Sequence, residues 1–64
     1  MGVRVSTTGY ELALEISNFL FEKTGKHYET HTSGFVTNVT HEHAEIIREH
    51  FKNSGIRLNG EYVE

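Results

Sequence analysis

Val3 and Val5 alternate with Arg4 and Ser6, the twofold period of a strand with one buried face. From Tyr10 the period lengthens. Leu12, Ala13, Leu14, Ile16, Phe19, Leu20 and Phe21 recur with helical spacing, which predicts a first helix. Thr8 and Glu11 have the spacing of a capping box, with the Thr8 hydroxyl accepting from the N–H three residues on and Glu11 reaching back. Lys23-Thr24-Gly25 predicts the end, a cation in the last turn and a glycine for the left-handed cap.

From Lys26 the pattern returns to a twofold period, and Ser33-Gly34 sits where a tight turn would join two strands. With those two residues as the loop, Tyr28 faces Val39, Thr30 faces Thr37 and Thr32 faces Phe35, and this is the expected core side. His27, Glu29, His31, Val36 and Asn38 then share a wet face. A second helix is expected from Thr40 or His41 to Ser54-Gly55, with Ala44, Ile47 and Phe51 as its apolar stripe. Ile56 and Leu58 alternate as a last strand. Asn59-Gly60 signals either a further hairpin or a bulge, and the pattern leaves both open.

The order strand, helix, strand, strand, helix, strand predicts an α+β, ferredoxin-like βαββαβ fold in a single domain of residues 1–64. Its four-stranded antiparallel sheet would carry both helices on one face. The first helix is the unusual part. At about 100° per residue its apolar side chains sweep an arc of about 220°, leaving only Glu11, Glu15, Asn18 and Glu22 as a polar back. One sheet face cannot cover that arc. Either Leu12, Ile16 and Phe19 or Tyr10, Leu14 and Phe21 must meet the second helix or stay exposed for a partner.

Composition narrows the chemistry. The chain has no cysteine, so neither disulfides nor thiolate ligands are available. Six Lys and Arg against nine Asp and Glu give a net charge of −3, and the basic residues are scattered, which disfavours nucleic acid as a partner. No apolar run approaches the roughly 20 residues that span a bilayer, so a soluble cytoplasmic protein without membrane contact is expected.

Five histidines are the one chemical enrichment. His43 and His50 share a side of the second helix but lie about 10.5 Å apart along its axis. His27 and His31 are separated by about 13 Å of strand. Neither pair can chelate one ion, because metal–nitrogen distances are about 2.0–2.1 Å. The weak metal candidates that remain are His27 and His41, which the expected hairpin brings together across elements. No cofactor is implied.

Ser6 and Ser33 have no identifiable base partner, and the glycines stand singly at element boundaries. An enzyme is therefore not expected. The expected function is a small, self-associating protein-interaction module, an inhibitor or adaptor of the kind carried by phages or mobile elements, which occupies a partner protein's surface. Its expected contacts are Tyr10, Leu14 and Phe21 from the first helix, or the sheet edge of residues 26–32, which carries His27, Glu29 and His31, by strand addition. Two alternatives remain. Gly34-Phe35-Val36 resembles part of the RRM signature, which implies a nucleic-acid-binding module using the open sheet face, and a histidine-based metal-binding protein is the other.

Overall fold

The computed structural model describes residues 2–63; Met1 and Glu64, the ends of the expected domain, lie outside the described residues. Alternation over Val3–Ser6 forms β1. The apolar arc forms helix α1, Tyr10–Thr24, closed by Gly25 in the left-handed region, whose N–H donates to the Phe21 carbonyl at 2.8 Å. Then follow β2 (Phe35–Val39), α2 (His41–His50), β3 (Arg57–Leu58) and β4 (Glu61–Tyr62).

The strands form one antiparallel sheet in the order β2-β1-β3-β4. Val3, Val5, Val36, Val39, Ile56 and Val63 pack from one sheet face against Ala13, Ile16 and Leu20 of α1 and Ala44 and Ile47 of α2. Both helices thus cover the same face. The chain is an α+β protein of ferredoxin-like architecture, with an element order, β-α-β-α-β-β, that only partly matches the expected one.

The difference lies in residues 26–32. Instead of a full strand they contribute a single antiparallel bridge, Thr30 to Val36, at the outer edge of β2. Counting that bridge as the vestige of the expected second strand restores the βαββαβ order, with β4 added at the opposite edge. Asn59 and Gly60, both at positive φ, turn β3 into β4, the twofold-positive geometry a two-residue hairpin turn requires. The hairpin alternative is therefore the one realised.

The hairpin before β2 also has a different loop. Gly34 N–H donates to the His31 carbonyl at 2.9 Å and His31 N–H to the Phe35 carbonyl at 2.8 Å. Three residues, Thr32, Ser33 and Gly34, therefore form the loop, with Gly34 at φ 98°. The physical reason is the residue order: a two-residue turn on Ser33-Gly34 would force Ser33 to positive φ, whereas the three-residue turn asks this only of Gly34. The pairing moves by one residue, and Val36 enters the core while Phe35 and Thr37 turn outward.

Val39 is buried too, as expected, although an odd separation from Val36 should oppose them. A bulge reconciles the two. Val3 pairs with Val39 and Val5 with Val36, so Thr37 and Asn38 together oppose Arg4, and Asn38 takes φ 60°.

Both helix starts and one helix end refine the expectations. Thr8 does not cap α1: Gly9 is the N-cap, and Thr7 Oγ1 accepts from the Gly9 N–H at 3.2 Å. Thr40 does cap α2, accepting from the His43 N–H at 3.2 Å. That helix ends at His50 rather than at Ser54-Gly55, and Phe51 leads into a turn while keeping its ring in the core.

Candidate functional site

The wide arc of α1 is divided between two neighbours and solvent. Phe19 stacks on His50 with ring centroids 4.0 Å apart and meets Phe51 edge-on at 5.4 Å. Ile16 is fully buried, and Leu12 is half-buried against the core. The Leu12, Ile16 and Phe19 side is thus the one that meets α2. Tyr10, Leu14 and Phe21 stay exposed at 41%, 36% and 43%, and only Tyr62, at 59%, joins them among exposed large hydrophobics of the described residues. At about 100° per residue they lie within about 40° of one another, so they form one stripe.

Ser17 falls in the same stripe and shows what the stripe adjoins. Its hydroxyl, buried, donates to the Tyr28 carbonyl at 3.3 Å. One turn further on, Phe21 stacks on His27 at 4.0 Å and 18°. At the other end, Gly9 abuts Gly34 of the hairpin turn. Segment 27–31 therefore runs antiparallel to α1 along this flank. The structure sets the Tyr10, Leu14 and Phe21 stripe beside segment 27–31 and joins Phe21 to His27, while Glu29 and His31 lie at the same edge on the opposite, open face of the sheet.

The segment is held by a side chain as well as by its bridge. The Tyr28 hydroxyl accepts from the Thr40 N–H at 3.3 Å and lies 2.7 Å from His43 Nδ1. With the imidazole proton on Nε2, the hydroxyl donates to Nδ1, so both its hydrogen-bonding capacities are used. Tyr28 thereby ties the segment to the start of α2.

The edge itself is bare. Thr37 N–H donates to the Glu29 carbonyl at 3.4 Å and His31 N–H to the Phe35 carbonyl, so the groups of residues 29 and 31 point toward β2. Those of Thr30 point the opposite way. Among the described residues neither the N–H nor the carbonyl of Thr30 has a hydrogen-bond partner.

The opposite sheet face carries different chemistry. Phe35 pairs with Ser6, Ser6 with Arg57 and Arg57 with Tyr62, giving one row across all four strands. The Arg4 guanidinium lies over the Phe35 ring, 5.3 Å from its centroid. Phe35 thus lies on the open face and not on the core side that the pattern predicts. The one-residue change in loop length was the signal: Ser33 is poorly suited to positive φ, and a wet Val36 was the warning beside it.

The histidines disperse. His27 rests on Phe21, His43 on Tyr28 and His50 on Phe19. His41 lines a shallow cleft with Gly2, Lys26, Asn38 and Thr40, so the neighbour in that cleft is Lys26 and not His27. Among the described residues no three His, Cys, Asp or Glu side chains converge as a metal site would need. No helix among them is long and apolar enough to cross a membrane. Compared with protein-family models, curated proteins and solved structures, the chain matches none.

Proposed function

We propose that the chain is a small, self-associating, non-enzymatic protein-interaction module of the cytoplasm, which acts as an inhibitor or adaptor by occupying a partner's surface. The observation that carries this reading is the stripe Tyr10, Leu14 and Phe21, exposed beside an edge whose Thr30 backbone groups are unpaired. An apolar stripe next to open backbone offers side-chain contact and strand addition to one partner at once. Affinity capture from a cell lysate tests it. Capture of a defined protein should be lost on Leu14→Glu or Phe21→Glu and kept on Arg57→Glu, which alters the other face. Equal capture by all three variants contradicts the reading.

The open face supports a second reading, a platform for single-stranded nucleic acid. Phe35 and Tyr62 offer rings for base stacking, and Arg4 and Arg57 offer charge for phosphates. Two arginines are few for that purpose, and Glu29 lies on the same face at its edge. Fluorescence anisotropy with a labelled oligonucleotide decides. Binding that weakens steeply with salt and is lost on Phe35→Ala favours the platform, and no binding at low salt removes it.

A further inference from the structure

We propose that the occupant of the α1 flank and its adjoining edge is a second copy of this chain, paired antiparallel to the first about Thr30. The proposal rests on the interaction-module reading and specifies its partner. The Thr30 N–H and carbonyl both point out of the sheet without partners among the described residues. A twofold axis beside Thr30 lets each copy donate its Thr30 N–H to the other's Thr30 carbonyl, which joins the two sheets across this edge.

Side-chain complementarity favours this register over its neighbours. Pairing about Glu29 would set the two Glu29 carboxylates directly opposite each other, and pairing about His31 would oppose the two imidazoles. Pairing about Thr30 sets Glu29 of each copy opposite His31 of the other, an attractive contact made twice by symmetry. Both side chains are exposed and lie on the open face, because they flank the inward-facing pair Thr30 and Val36. The segment is therefore complementary to itself, which favours a second copy over an unrelated strand.

The same axis places apolar surface against apolar surface. Thr30 projects toward the helical side, and α1 runs antiparallel to the segment along its outer flank, marked by the Ser17 to Tyr28 and Phe21 to His27 contacts. Two copies joined about Thr30 bring their Tyr10, Leu14 and Phe21 stripes beside each other above the shared sheet. Three of the four exposed large hydrophobics become the seam of the dimer.

Sedimentation equilibrium of the full chain tests the pairing, with circular dichroism to verify that each variant is folded. The mass should rise with concentration from 7.3 kDa to twice that value. His31→Glu, which opposes carboxylates at both symmetric positions, should weaken the dimer by about tenfold or more. The double exchange Glu29→His with His31→Glu restores opposite partners and should return the affinity to within about twofold of the original. A dimer indifferent to the single change, or one that the exchange fails to rescue, overturns this register. A chain that stays at 7.3 kDa at every concentration, while Leu14→Glu still abolishes capture of another protein, overturns self-association and leaves standing the reading of a module that binds a different protein. If Leu14→Glu changes neither mass nor capture, both are overturned.

Discussion

Tyr28 is the residue on which the most local structure converges. Its ring is buried, its carbonyl receives Ser17, and its hydroxyl joins Thr40 to His43. Tyr28→Phe keeps the ring and strands the partly buried Thr40 N–H, so it should cost about 1–3 kcal/mol in chemical denaturation. Gly34 is the second such residue. A Cβ there would lie 2.9 Å from Thr7 Oγ1 and 3.3 Å from the Thr7 carbonyl, at φ 98°. Gly34→Ala should therefore also destabilise by about 1–3 kcal/mol, and a stability unchanged within error would refute the three-residue loop. At this scale the sequence was only half legible. The helix start near Thr40 or His41 and a turn signal at Asn59-Gly60 are legible from residue type, though the choice of hairpin over bulge is not, and the side taken by Phe35 and Val36 depends on a loop one residue longer and on a bulge at Asn38. Both are backbone choices that a twofold pattern does not record.

The elements were more legible, because their period survives small errors of register. The apolar arc of α1 announces that one sheet face cannot cover it, and the aromatic contacts of Phe19 with His50 and Phe51 then decide which side α2 takes. What remained open in the pattern was the choice between two flanks, since both present large apolar side chains. Stability separates the buried and exposed parts of the arc. Leu20→Ala, at a fully buried site, should cost about 2–5 kcal/mol, a large share of the roughly 3–10 kcal/mol expected for a domain of this size. Leu14→Gln and Phe21→Gln, measured at low micromolar concentration to keep association out of the result, should each change stability by less than about 1 kcal/mol. Comparable losses at Leu14 and Leu20 would mean that the stripe belongs to the core. The expected strand over residues 26–32 illustrates the opposite case. Its composition suits a strand, yet its backbone is tied to α1 through Ser17, and its Tyr28 hydroxyl to the start of α2, in addition to its bridge with Val36.

Across the whole molecule, negative and positive charge are separated. Glu11, Glu15, Glu22, Glu42, Glu45 and Glu49 lie on the two helices, against Lys23 and Arg48, while Arg4 and Arg57 stand on the open sheet face with Phe35 and Tyr62. The helical layer therefore repels polyanions even though the opposite face carries cations, so any oligonucleotide binding is predicted to be confined to that face and abolished by Arg57→Glu. Between the two layers lies the edge at Thr30, where an exposed apolar stripe adjoins backbone groups unpaired among the described residues. The most direct measurement is hydrogen exchange of the Thr30 amide, followed residue by residue in solution as protein concentration is raised. Pairing about Thr30 predicts rapid exchange in dilute solution and protection that grows in step with the dimer, as the amide gains its partner carbonyl. Exchange at the rate of an unprotected amide in a solution that is fully dimeric would contradict it.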